Sequence, residues 1–297
     1  MSTRRKLLLG IGGGYMVGLI LIGIVFGSAG KNEKFAPQDE FELLTWVKLP
    51  GPFDLNKGVL YLVLATLLTT GTMLYIANRM QARPNRVQTA VEMLYALMRD
   101  QITRGAMDEK MARKWFPFLG TLFLFILFSN LIGYIPLPTN SGEKFDLLGV
   151  QIPGFAIYAA TANVSIPLIL ALIVFISYNV EGLRAKGFIG YMKSFIPAGI
   201  SGFAAVPMFM LEFLSNFMRL ISLTVRLFAN LLAGHLIILF MSGGLAVLLG
   251  VAAVGWLTLP VGVLMFMFEV GLVAALQAFI FATLSAIYLG GAVSEGH

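Results

Sequence analysis

Between Lys193 and Glu295 the chain carries only four formally charged side chains: Glu212, Arg219, Arg226 and Glu269. Everything around them is apolar or small. A soluble fold cannot be built from such a stretch, because its surface needs polar side chains. A bilayer can hold it, although a charge at the bilayer centre costs about 2.5–3.5 kcal/mol on insertion scales. Charges persist there when they face protein, a water-filled cavity or an ion path. The rest of the chain agrees: 58% of its 297 residues are apolar and 12% are charged, against about 25% charged in an ordinary soluble domain. There is no Cys and there are two His, which excludes disulfide frameworks, thiolate metal sites and histidine metal clusters. No cofactor or metal site is expected, and the fold class is all-α and polytopic.

A helix needs about 20 apolar residues to cross the hydrocarbon core. The first candidate span is Leu7 to Gly27, after Arg4, Arg5 and Lys6. A retained helix is the expectation, because the run exceeds the usual signal-peptide core of about 7–15 residues. A cleaved signal peptide is the alternative, with Gly27, Ser28 and Ala29 at the cut. Further spans are Val59 to Asn78, Phe116 to Ile135 and Ala160 to Val180. Residues 84–114 repeat Val87, Val91, Leu94, Leu97 and Met98 at helical spacing among many cations, the pattern of an amphipathic helix on a membrane surface. A solvated helical connection is the other reading. The stretches 28–57 and 137–157 are polar or rich in Gly and Pro and read as loops. Two long helices are expected at the end, about 204–241 and 260–291, at roughly 57 Å and roughly 46 Å. Both exceed the bilayer core and must tilt or kink. The linker 243–259 stays open between a loop, a short helix and a re-entrant piece. The expected architecture is five to six membrane helices, one surface helix and a long tilted C-terminal hairpin. Residues 1–57 form an N-terminal segment with an external loop, and 58–297 form a helical core.

Orientation follows from the cations. Segment 79–114 holds eight Lys or Arg, 181–193 holds three, and 137–157 holds one, Lys144. All loops agree if the N-terminus, 79–114 and 181–193 lie inside. The C-terminus then also lies inside.

At 100° per residue, Ser222, Arg226 and Asn230 share one side of the 204–241 helix, with Arg219 about 20° and Glu212 about 40° away. His235 points about 180° away, toward the helix that carries Glu269 and Gln277. Glu212 falls on the inner side, Arg226 near the middle, and His235 with Glu269 on the outer side. Titratable groups at two depths, with a fixed cation between them, suit two aqueous half-channels separated by an electrostatic block. Arginine stays protonated, so it bars a proton path and cannot relay one. If Arg226 were a structural ion-pair partner instead, Glu212 would be the acid to hold it; for Glu212 itself, a pair with Arg219 is the structural alternative.

These residues resemble subunit a of the membrane sector of F-type ATP synthases. The resemblance rests on Ser222-Leu-Thr-Val-Arg226-Leu-Phe-Ala-Asn230-Leu-Leu-Ala-Gly234-His235 and on Leu276-Gln277-Ala-Phe-Ile-Phe-Ala-Thr-Leu-Ser-Ala-Ile-Tyr288-Leu. Phe116-Pro-Phe, Ser129-Asn130-Leu-Ile-Gly-Tyr-Ile-Pro136 and Thr161-Ala162-Asn163-Val164 support it. It covers roughly 57–293. It implies that Arg226 is the essential arginine facing the ion-carrying carboxylate of a rotating c-ring. It implies that His235 and Glu269 line the outer half-channel, that Glu212 and Ser215 belong to the inner one, and that Gln277 is the polar residue packed near the arginine. Asn230, Asn130 and Asn163 are implied as further polar positions on the path. Implied partners are the c-ring, stator stalk subunit b, the bilayer and transported protons, with no nucleic acid. The implied setting is a bacterial plasma membrane.

Three features depart from that pattern. Glu269 and Gln277 are eight residues apart where seven is usual, so a bulge or rotation is expected between them. Gly133 stands where some members carry an acid. The first hydrophobic segment precedes the family's core. No phosphate-binding loop is present, so nucleotide chemistry would belong to other subunits and this chain is not an enzyme by itself. A self-contained, proton-coupled secondary transporter is the alternative. It usually shows inverted repeats, and no duplication is visible. A passive scaffold would explain the helices but not the placed charges.

Overall fold

In a computed structural model of the chain, residues 10, 12–18, 21, 43, 45–47, 55–78, 81, 85–147, 150–196, 200, 202–249 and 252–294 are described. Of the first candidate span, residues 10, 12–18 and 21 are helical and the remainder lies outside the described residues. The described elements begin with a short antiparallel pair, β1 (Thr45–Val47) with β2 (Leu55–Asn56). Helices α1 (Lys57–Asn78), α2 (Arg86–Ala96) and α3 (Glu109–Ile132) follow. Strands β3 (Leu137–Leu147) and β4 (Val150–Ala156) lead to α4 (Ser165–Lys193) and α5 (Ala205–Leu239). The chain ends with α6 (Leu245–Leu249), α7 (Ala252–Phe268) and α8 (Ala274–Val293). Among the described residues five segments are long and apolar enough to cross a membrane: Lys57–Asn78, Glu109–Ile132, Ser165–Lys193, Gly202–Val247 and Leu257–Val293. The protein is a polytopic membrane protein whose spans are all α-helical.

Several connections differ from the sequence reading. Within 137–156, expected as a loop, β3 and β4 pair antiparallel, Leu137 with Ala156 and Leu147 with Val150. Pairing satisfies backbone groups that a bare loop beside the membrane would leave unmet. In a two-stranded ribbon each strand has a free edge, which tolerates Pro138 and Pro153. The cation-rich surface segment is also shorter than expected. It runs through α2 and a π-helical stretch at Leu97–Thr103, then breaks at a turn. Asp108 has an extended backbone (φ −63°, ψ 160°) and restarts the chain as α3. Lys110, Arg113 and Lys114 therefore belong to the first turns of a spanning helix. Of the open stretch 243–259, Gly243 interrupts the helix (φ 164°, ψ −21°) at the end of a π-helical turn, Phe240–Gly244, and residues 245–249 (α6) and 252–259 (the start of α7) are helical.

The chain divides into two compact units. The larger comprises Leu43–Leu231 and Val273–His297. Its core joins buried Leu119, Phe123, Leu124 and Ile126 of α3 to Val174 and Tyr178 of α4, Leu223 and Leu227 of α5, and Phe281, Ala282 and Leu289 of α8. Glycines permit two close approaches beside this core. A Cβ at Gly290 would run into the carbonyl oxygen of Ala106, and one at Gly182 into the ring of Tyr191. That second approach depends on Gly187, whose φ of 70° interrupts α4 in a region L side chains rarely adopt. A smaller cluster of Tyr61, Ala65, Ile132, Tyr158 and Ala160 seats α1. Burial pushes the Tyr158 hydroxyl up to about 12, so it stays neutral.

The smaller unit comprises Met1–Glu42 and Leu232–Leu272. Within it α7 returns along the end of α5. A Cβ at Gly262 would lie 3.2 Å from the Ser242 nitrogen, and one at Gly255 would lie 3.2 Å from the Ala246 Cβ.

Candidate functional site

In the smaller unit, the end of α5 and the end of α7 bring His235 and Glu269 together. His235 Nδ1 stands 3.9 Å from Glu269 Oε2, and their side chains are 4% and 3% exposed. A carboxyl and an imidazole buried side by side at this distance form an arrangement that suits passing a proton. Gly234 makes the room: a Cβ there would overlap the Glu269 carboxylate. Only glycine beside the histidine leaves space for the acid. Glu269 also opens a π-helical turn, Glu269–Val273. A π-turn takes one extra residue into a helix, the kind of bulge that the eight-residue spacing to Gln277 called for.

In the larger unit, α5 carries Glu212 and Arg219 as a pair at 3.4 Å, both about 40% exposed (40% and 37%). The Arg219 guanidinium also lies 5.3 Å from the Tyr288 ring centroid on α8. The alternative of an Arg226–Glu212 pair is thereby corrected: Arg219 is seven residues from Glu212 along α5 and takes that role. Among the described residues no carboxylate lies within ion-pair distance of Arg226. Arg226 is partly exposed, between exposed Ser222 and Asn230 on the same side of α5, while Leu223 and Leu227 are buried on the other. The exposed side continues through Leu214, Met218, Ile221 and Val225. Ser215 is exposed on α5. Gln277 is buried on α8.

The two remaining asparagines hold backbone. Asn130 donates from Nδ2 to the Ala274 carbonyl at 3.1 Å, and its Oδ1 accepts from the Thr161 hydroxyl at 2.8 Å. Asn163 Oδ1 accepts from the Ser165 amide at 3.0 Å at the start of α4.

The sequence reading did not single out a polar cluster beside Glu212. Tyr178 donates its hydroxyl hydrogen to Asn216 Oδ1 at 2.8 Å. Asn216 Nδ2 donates to Asn179 Oδ1 at 3.1 Å, and that oxygen also accepts from the Tyr191 hydroxyl at 2.8 Å. A cavity of ≈ 120 Å³ opens here, lined among others by Tyr178, Lys186, Glu212, Asn216 and Arg219. The signal was present as Ser177, Tyr178 and Asn179 inside an otherwise apolar span, but pairing them with Asn216 needs the packing of α4 on α5. Gly234 was equally silent, because nothing local marks a glycine as the seat of a distant acid. No group of three or more potential metal ligands occurs among the described residues.

Comparison with known proteins adds a family. A family model described as ATP synthase A chain matches residues 59–290. Among similar proteins is the ATP synthase subunit a of Rhizobium rhizogenes, 32% identical over 249 residues, covering 82% of this chain and 90% of the relative. The ATP synthase subunit a of Helicobacter pylori is 35% identical over 239 residues, covering 80% and 90%. That of Rubrobacter xylanophilus is 34% identical over 238 residues, covering 80% and 83%.

Proposed function

This chain belongs to the ATP synthase A chain family, and from that membership we propose that it is the stator ion channel of a rotary ATP synthase. The observation that carries the reading is the seat of Arg226, on the open side of α5 with no acid among the described residues in ion-pair reach. The nearby acid on the same helix, Glu212, is engaged by Arg219. A cation held ready in this way suits a carboxylate supplied by a moving partner, the c-ring. The exposed apolar residues around Arg226 suit a sliding contact with that ring.

The proton path follows. A proton enters from outside at the His235–Glu269 pair and neutralises a c-ring carboxylate, which can then travel through lipid. After nearly a full turn that carboxylate meets Arg226. The guanidinium favours the ionised form, and the proton leaves inward past Glu212. Glu212 and Arg226 are fourteen residues apart on a continuous helix, roughly 21 Å at 1.5 Å per residue, so release does not need contact between them. Ser215, Asn230 and Gln277 contribute polar positions along this route. Asn130, bonded to the Ala274 carbonyl and the Thr161 hydroxyl, and Asn163, bonded to the Ser165 amide, hold the route's walls. Each proton crossing 100 mV delivers about 2.3 kcal/mol, which the ring passes to a remote nucleotide-binding sector. The chain performs no ATP chemistry itself. The functional core is 58–297, stalk subunit b holds it still, and both termini face the inside of a bacterial plasma membrane.

The test is ATP-driven proton pumping in inverted vesicles carrying the assembled complex, native against Arg226→Ala. Loss of pumping with normal assembly supports the reading. Pumping at the native rate overturns it.

A further inference from the structure

We propose that the cleft between α2 and the first turns of α3 is a binding site for the phosphate headgroup of an anionic phospholipid. The cleft has a volume of ≈ 320 Å³ and is lined by Tyr95, Arg99, Thr103, Arg104, Arg113 and Phe116, with Ala112. Three guanidiniums therefore converge on one space. Two carboxylates stand among them. Asp100 lies 3.9 Å from Arg99 and 3.5 Å from Arg104, and Glu109 lies 3.5 Å from Arg104 and 3.0 Å from Arg113. Three cations against two anions leave a positive surplus of one. Each guanidinium has five N–H donors, and these contacts occupy one or two apiece. The donors are reachable, with Arg99 46%, Arg104 40% and Arg113 80% exposed. Arginine forks match phosphate oxygens in pairs.

The rest of the lining selects a lipid over a free ion. Tyr95 and Phe116 meet edge-on, their ring centroids 5.2 Å apart, and give the cleft an apolar wall that inorganic phosphate would not use. The location fits as well. The cleft lies where an amphipathic helix meets the start of a spanning helix. Val87 and Met93 of α2 are each 65% exposed, apolar surface that a bilayer would cover. Trp115, with Lys114 5.7 Å from its ring centroid, marks the membrane–water boundary in the usual way. The cation distribution puts this end of α3 on the inner side, where anionic lipids concentrate and basic pockets hold their headgroups.

The probe is phosphatidylglycerol, titrated into the full-length chain in neutral detergent and read by native mass spectrometry. Phosphatidylcholine and inorganic phosphate serve as comparison ligands. The native chain should retain phosphatidylglycerol in preference to phosphatidylcholine. The double substitution Arg99→Gln, Arg104→Gln should weaken it about fivefold for each charge removed. Lys186→Gln, on α4 and away from the cleft, should leave it unchanged. Equal retention of the two lipids, or unchanged affinity in the double variant, overturns the proposal. Displacement of the lipid by inorganic phosphate at equal concentration makes this a free-anion site and also overturns it. If the double variant does not fold, the native chain still decides. Raising ionic strength from about 0.05 M to about 0.5 M should release phosphatidylglycerol several-fold, and a flat response refutes an electrostatic headgroup site.

Discussion

Replacing Gly234 by alanine adds one methyl group, and the structure says where it goes. The new Cβ would fall on the carboxylate of Glu269, which is buried and paired with His235 at 3.9 Å. The obstruction is the far end of a side chain, so the backbone need not part. Stability should fall toward the lower end of the range for overpacked sites, about 1–3 kcal/mol. The carboxylate must instead leave its seat, and its distance from His235 must grow. If the full strain falls on proton transfer, the same range corresponds to about a 5- to 150-fold loss of rate. The assay is proton pumping by the assembled complex in vesicles, with native gels reporting assembly. Gly234→Ala should assemble and pump slowly. Adding Glu269→Asp, one methylene shorter, should recover part of the lost rate. A Gly234→Ala complex that pumps at the native rate refutes the argument. So does a double variant no better than the single one.

Other perturbations separate structural from transport roles. Asn130→Ala removes the acceptor of the buried Thr161 hydroxyl and the side-chain donor to the Ala274 carbonyl. With an unsatisfied buried group costing about 1–3 kcal/mol, the subunit should melt earlier in detergent while pumping per assembled complex stays near native. Glu212→Gln breaks a half-exposed pair worth about 0–1 kcal/mol. Assembly should be unchanged, and a loss of pumping would then report the release path, whereas native pumping would remove Glu212 from it. Gly187→Ala forces a side chain into a glycine-only backbone region at about 1–3 kcal/mol. Protease resistance of the α4 segment should drop, and an unchanged digestion pattern would mean the backbone relaxes at no cost.

The class of fold was legible because hydrophobic length is a local property. Runs of about 20 apolar residues cannot be hidden in water, and α1, α3, α4, α5 and the α7–α8 pair all show themselves in this way. The placement of cations likewise separated the surface segment from the spans. The π-turn at Glu269–Val273 was half visible, since an eight-residue spacing does not fit a regular helical face. Boundaries were less legible. The break before Asp108 and the β3–β4 pairing depend on backbone partners, and the pattern alone reads the first region as one amphipathic helix over 84–114 and the second as a loop.

Within the candidate site the division has a physical basis. Arg226, Glu212, His235 and Glu269 stood out from the chain alone, because a charge or an imidazole in an apolar helix is expensive and must have a reason to stay. Which of the offered pairings forms is a matter of distance through space. Glu212 lies by Arg219 and Glu269 by His235, both pairings the sequence had offered, and Arg226 has no described acid in ion-pair reach. The roles of Gly234, Asn216 and Tyr178 emerge only when helices from distant parts of the chain are packed, because a glycine's missing methyl and an amide's hydrogen bond acquire meaning from what lies opposite.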